Sequence, residues 1–472
     1  MSTAPTVIPA VPECDFEMGA RKPKHRAARR QVSERTFLGR NLTTWQPSSA
    51  LLRKEFLNIM FITAAVFTIT GAVVAVRSAF GSESEEAWAV PMEDDLQAGR
   101  KRIYCFFNHS AYRRPEPMTF TVDNVQVEHC DDIVYTFLGI DPAAANIISK
   151  DPKYDVHLEG IRRFAKLRER DVSLVIWAAL GGSRTDNDAF NKIASVRRSR
   201  VEFAENSARW LQQYGYDGII LYWIYPLGDT ERSNFGSLIK SVKKRLSAEG
   251  LRLAVVVPGD KTLRKAGFDV RELAQTVDVI FVDTHRTVDP STFPVTTFFS
   301  PLRVKTQAKR LGQTGLSYVL GDLSVEVNQM EKVVFGLTLA GVTFTLKDPS
   351  KNKAGDPVKG PGNPGVFTKE PGLLGHFEID QLLAHDLSWS RQFDRVSQCP
   401  YLVSGDQWVG FEDDVSLQSK SHLVLFTGGI AVWDISMDDF RGSLGKPLLA
   451  RARDIFLRNH TLGRTYPSRK KG

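Results

Sequence analysis

Apolar and polar positions along the chain fall into three regimes. Residues 1–55 hold no sustained apolar run and are interrupted by Pro5, Pro9, Pro12, Pro23 and Pro47, a pattern that predicts a disordered tail. Phe56 to Val76 then follow as 21 residues without a charged side chain, enough at about 1.5 Å of helical rise per residue to cross a hydrocarbon core roughly 30 Å thick. From Lys101 onward, short apolar runs alternate with stretches of helical period. The runs that predict strands are 102–107, 133–139, 172–179, 218–224, 252–257, 277–283, 334–340 and 430–434, with helix-compatible segments such as 198–214 and 233–249 between them. Eight strand-like runs separated by helices predict a (β/α)8 barrel, a TIM barrel; a doubly wound open sheet shares that periodicity, so the pattern leaves both open. No Gly-rich phosphate loop follows the first run, which counts against a dinucleotide-binding sheet.

Charge gives the apolar run a direction. The chain of 472 residues carries a formal net charge of +8, yet residues 1–54 alone hold ten Lys/Arg against four Asp/Glu. The remainder is close to neutral, too weakly basic for a nucleic-acid footprint, so no nucleic-acid partner is expected. Glu83, Glu85, Glu86, Glu93, Asp94 and Asp95 flank the run on its far side. Basic residues before it and acids after it predict a single-pass, type II signal-anchor with the N-terminus in the cytosol and the bulk of the chain extracellular or lumenal. The expected organisation is a basic cytosolic tail over 1–55, a transmembrane helix over 56–76, an acidic stem over 77–100, a folded domain over 101–460 and a short basic tail over 461–472. On the outer side, the sequons at Asn108 and Asn459 are glycosylation candidates, and Cys399 has no evident partner.

The stretch Asp217-Gly218-Ile219-Ile220-Leu221-Tyr222-Trp223-Ile224-Tyr225-Pro226 resembles the signature of the glycoside hydrolase family 18 chitinases, Asp-Gly-x-Asp-x-Asp-x-Glu followed by an aromatic residue and Pro. Asp217 and Gly218 are retained, as are Tyr225 and Pro226, but the three later acids fall on Ile220, Tyr222 and Ile224. Residues 102–141 resemble the family's first two strands, Ala179-Leu180-Gly181-Gly182 its third-strand exit, and Val432-Trp433 its eighth strand; residues 345–382 and 405–411 resemble its small α+β insertion, expected over about 343–415. The resemblance implies a barrel with that insertion, a disulfide between Cys105 and Cys130, and Phe107 and Trp433 on the floor of the central sugar subsite.

It also implies what is missing. In the family the Glu at the place of Ile224 protonates the glycosidic oxygen, and the Asp at the place of Tyr222 orients the substrate's own acetamido group, one of the substrate-assisted exceptions to the two-carboxylate scheme. Strand alternation sends 220, 222 and 224 to one face, so all three substitutions strike the same wall. The aligned sugar-holding groups are replaced as well: Asp283, Thr284, His285 and Arg286 follow the sixth strand, Ala340-Gly341-Val342 the seventh, and Ser110 and Ser183 take the places of stacking tryptophans. The apolar refilling of 220, 222 and 224 reads as packing, and Tyr222 as either a ligand contact or an internal hydrogen-bond donor. Asp434, Asp283, His285 and Arg286 bring polarity to the mouth and read as either ligand contacts or an internal ion-pair network.

No Ser-His-Asp order and no metal-ligand spacing offers a replacement chemistry, so neither metal nor cofactor is expected. The expectation is a catalytically inactive, membrane-anchored chitinase-like protein that binds a glycan or a protein partner at the cell surface. Two alternatives stand beside it: a lectin for chitin or other N-acetylglucosamine oligosaccharides using Phe107 and Trp433, and a hydrolase with repurposed residues in which His285 is the base.

Overall fold

The computed structural model describes residues 100–463. The expected tail 1–55, the apolar run 56–76, the stem apart from Arg100 and nearly all of the basic tail lie outside the described residues. No helix among those described is long and apolar enough to cross a membrane.

Eight parallel strands close on themselves: β1 (Arg102–Asn108), β2 (Asp132–Asp141), β3 (Val175–Gly181), β4 (Gly218–Tyr222), β5 (Arg252–Pro258), β6 (Val279–Asp283), β7 (Val333–Thr338) and β8 (Gly429–Trp433). Each pairs with the next in sequence, and β8 pairs with β1, so the ambiguity left by periodicity resolves to the barrel. Every expected run overlaps one of these strands, with ends that differ by up to three residues. Closure follows from what the strands carry. Their outward residues pack under helices such as Arg197–Tyr214, which buries Phe203, Ala204, Ala208 and Leu211 and stops at Gly215, whose φ of 75° suits a residue without a Cβ.

The inward residues form a separate core: Tyr104 and Phe106 from β1, Trp177 from β3, Ile220 and Tyr222 from β4, Phe281 from β6 and Trp433 from β8, spaced by Ala179, Ala254 and Ala431. Large and small side chains alternate because so many rings cannot share one level of a narrow barrel. Gly218 shows the constraint directly, since a Cβ there would lie 2.6 Å from the Trp177 ring.

Between β7 and β8 the chain builds an antiparallel sheet in the spatial order 358–361, 341–346, 407–410, 399–404 and 390–394, with the helix His376–His385 against it. One face of this sheet, including Val342, Phe344 and Trp408, joins the main core; the other, with Leu374, Ile379 and Val409, forms a small core of its own. Cys105 and Cys130 are bonded, with Cα atoms 5.9 Å apart, and Cys399 is a buried free thiol.

Candidate functional site

A barrel of this kind offers its C-terminal mouth as the natural site, because side chains from several strand ends converge there. Here a cavity of about 210 Å³ lies at that mouth, lined by Phe106, Phe137, His285, Trp433, Asp434 and Met437 among others. It is smaller than the roughly 300–1,000 Å³ usual for ligand clefts.

Its floor is Trp433. The Phe106 ring stacks on the indole at 3.6 Å between centroids and 21° between planes, and the His285 imidazole stacks at 4.4 Å and 9°. Two rings this close to one indole and nearly parallel to it would overlap each other on a single face, so they occupy opposite faces. Phe106 is fully buried, whereas the His285 side chain keeps 13% exposure and closes the outer face. Gly336 on β7 makes room for the arrangement, since a Cβ there would come within 3.2 Å of both His285 and the indole. The indole N–H of Trp433 is buried without an acceptor among the described residues.

The wall is a carboxylate held on several sides. Asp283, at the end of β6, accepts hydrogen bonds from the Tyr222 hydroxyl at 2.5 Å and the Tyr225 hydroxyl at 2.9 Å, and His285 Nδ1 lies 3.0 Å from its other oxygen. Burial by itself pushes this carboxyl upward; the imidazole and the two phenol donors outweigh burial and hold it below the usual carboxylate range. Burial, with Asp283 beside them, pushes both phenols well above their ordinary value, so they remain donors. Ile220 is fully buried below Tyr222, and Ile224, just past the strand end, packs half-buried on the inner core.

On the opposite rim, Asn108 Nδ2 donates to Asp434 Oδ2 at 3.3 Å, and Asp434 Oδ1 accepts from the Ser436 backbone N–H at 2.9 Å. Asn108 therefore sits at the mouth with its amide engaged, while Asn459 lies in the final helix, Leu448–Gly463. Arg286 reaches Glu370 at 3.4 Å, and Arg114 donates to the Ser436 carbonyl at 2.5 Å.

Several sequence-derived positions change meaning. Phe107 is not on the cavity floor. It points outward into the layer between barrel and helices, against Phe120, Tyr135 and Phe164, and Phe106 takes the inward place. The reason is strand parity: Cys105 is outward, where it meets Cys130, so 103, 105 and 107 share the outer face and 104 and 106 the inner one. That signal was present in the sequence. Asp217 is retained far from the mouth, at the base of β4, where it accepts from Arg168 at 2.6 Å and from the Ile176 backbone N–H at 2.7 Å. Ser183 caps a short turn by accepting from the Thr185 backbone N–H, and Val342 is buried in the main core, on the insertion sheet's face toward the barrel. Phe106 and Phe137 line the mouth cavity and Arg114 borders it through Ser436, and sequence reasoning singled out none of the three; Tyr225 it named only as a retained signature residue. No group of His, Cys, Asp and Glu among the described residues could hold a metal.

A closed eight-stranded parallel barrel with an α+β insertion after its seventh strand matches what known proteins show of this sequence. Residues 102–438 match Glycosyl hydrolases family 18, and the chain belongs to that family. Among its relatives, chitinase-3-like protein 2 of Homo sapiens is 29% identical over 361 residues, which cover 74% of this chain and 90% of that protein. The endochitinase of Manduca sexta is 26% identical over 390 residues, 79% of this chain and 69% of that one. Among solved structures, the Group IV chitinase of Ostrinia furnacalis is similar with a TM-score of 0.71 at 26% identity, covering 76% of this chain and all 100% of the other. Human YKL-39, described as a pseudo-chitinase with retained chitooligosaccharide binding properties, is similar with a TM-score of 0.68 at 27% identity, covering 76% of this chain and 100% of its own.

Proposed function

We propose that this chain is a non-catalytic family 18 protein that works by binding, held in a membrane by Phe56–Val76 with its barrel on the extracellular or lumenal side. One observation carries the reading: the inner face of β4 and its exit presents Ile220, Tyr222 and Ile224, and the buried carboxylate nearby, Asp283, is committed to Tyr222, Tyr225 and His285. An isoleucine donates no proton, and general-acid catalysis supplies about 10²–10⁴ in rate. A carboxylate that must also stabilise developing positive charge at a sugar carbon contributes more. Asp283 is held ionised, which makes it a poor proton donor, and its two hydroxyl donors already occupy it.

The bound partner is a glycan or a protein at the cell surface. Binding of N-acetylglucosamine oligosaccharides is the second reading, favoured by the likeness to YKL-39 and by Trp433 lining the mouth cavity. The test of non-catalysis is sugar release from chitohexaose by the full chain, alone and with Ile220→Asp, Tyr222→Asp and Ile224→Glu combined. Neither protein is expected to hydrolyse it, because Ala340 and Val342 would still lack the holding groups; turnover by the unmodified chain would overturn the proposal. Hydrolysis by the triple variant alone would show that the acids were the only loss.

A further inference from the structure

We propose that His285 is an internal plug that occupies the sugar-stacking face of Trp433, and that Asp283 anchors it there. This rests on reading the mouth as a binding rather than a hydrolytic site. The geometry is specific. An imidazole lies 9° from parallel and 4.4 Å from the indole, the separation and attitude a ring stacked on the platform takes. The opposite face is already filled by Phe106, which is fully buried and cannot leave without opening the barrel core. Of the two close-stacked rings, His285 is therefore the cover that can move; Phe137, at 6.2 Å and 26°, lies off the indole's centre. His285 sits beyond the end of β6 on the loop side of the cavity, and its Nδ1 is 3.0 Å from Asp283 Oδ1.

Asp283 in turn is fixed by Tyr222 and Tyr225. Tyr222 stands where the family signature carries an acid, so the substitution that removes catalysis also supplies the hydroxyl that holds the plug's anchor. The indole N–H, buried against Gly336 with no acceptor among the described residues, is shared in kind with Trp223 and Trp408 and points to no ligand by itself; the plug rests on the stacking geometry. The glycine at 336 keeps the space that the stacked pair requires. His285 and Asp283 are thus positioning residues that set whether an oligosaccharide can use Trp433.

The experiment measures chitohexaose affinity by calorimetry on the full chain in detergent and on His285→Ala, Asp283→Asn and His285→Ala/Trp433→Ala. Unplugging is expected to tighten binding roughly tenfold in His285→Ala, the size of one restored ring stack. A smaller gain is expected in Asp283→Asn, which keeps its shape but loosens its hold on the imidazole, and the double variant should lose the gain. An affinity in His285→Ala no better than the unmodified chain, or a gain that survives removal of Trp433, overturns the plug. Should His285→Ala fail to fold, Asp283→Asn carries the comparison alone, a several-fold gain supporting the plug and an unchanged affinity overturning it. Chromatography of the sugar after each titration separates this from the parent reading, since cleavage products would count against non-catalysis and not against the plug.

Discussion

The two ends of the barrel are built from the same strands and use buried charge in opposite ways. At the base, Arg102 Nε lies 2.5 Å from Asp132 Oδ2, Trp177 Nε1 donates to Asp132 Oδ1 at 2.8 Å, and Asp217 ties β3 and β4 to Arg168. Charge meets charge there. At the mouth, Asp283 is held by two phenols and an imidazole, and the network stops at an indole whose N–H has no partner among the described residues. The base is saturated and the mouth is not. In barrels of this kind the base serves stability and the mouth serves ligands, and the proposed function keeps that division with Ile220, Tyr222 and Ile224 where the family signature carries acids.

The sharpest way to break the comparison is at the base. Asp132→Ala removes the carboxylate that pairs with the buried Arg102 guanidinium and should cost about 3–5 kcal/mol of stability, read from unfolding in guanidinium chloride. A loss within the error of that measurement would mean the base is no more demanding than the surface. Tyr222→Phe at the mouth removes one hydroxyl donor from Asp283 and should cost about 1.5–3 kcal/mol, less than the base variant, while the mouth's ligand behaviour changes. Equal costs at both ends would erase the distinction drawn here.

The smallest effect is expected where the insertion meets the barrel, and it appears as a pH dependence. Burial pushes His376 from its ordinary 6.5 down to about 3, with Arg451 adding to the shift. The unfolded chain therefore binds a proton that the folded chain refuses, and stability present above pH 6.5 is lost as pH falls toward 3. Burial pushes Asp380, whose Oδ1 is 3.5 Å from His376 Nε2, up to about 6. That group contributes in the opposite sense: its stabilisation is complete below its ordinary 3.8 and is lost as pH rises through 6. His376→Phe removes the first term and leaves the second, so the melting temperature of the variant relative to the unmodified chain should climb as pH is lowered from 7 to 4.5. A constant difference across that range would show that His376 does not titrate with folding.

The strands are legible one by one, because a barrel strand is a short apolar run and each of the eight overlaps an expected run. Within the candidate site, legibility depended on parity. Ile220 and Tyr222 were placed on the inner face correctly, since both lie on β4 and alternation needs no other information. Phe107 was placed wrongly for want of the same test on β1, where the outward disulfide cysteine at 105 sets the phase. Tyr225 could not be placed by parity at all. It lies beyond the strand end, where the chain's direction is set by a turn, and its hydroxyl meets Asp283 across 58 positions of sequence.

By itself, then, the sequence determined the alternating strands and helices, the membership of the family, and the absence of carboxylates at 220, 222 and 224, all of which depend on residue type and local period. Only the tertiary structure decided that Asp283 is claimed by Tyr222 and Tyr225, that Trp433 is enclosed between Phe106 and His285, and that the indole N–H is left without a partner among the described residues. These facts depend on which side chains from different strands arrive at the same level when the barrel closes. Strand tilt and register govern that meeting, and neither is written in the spacing of residues along the chain.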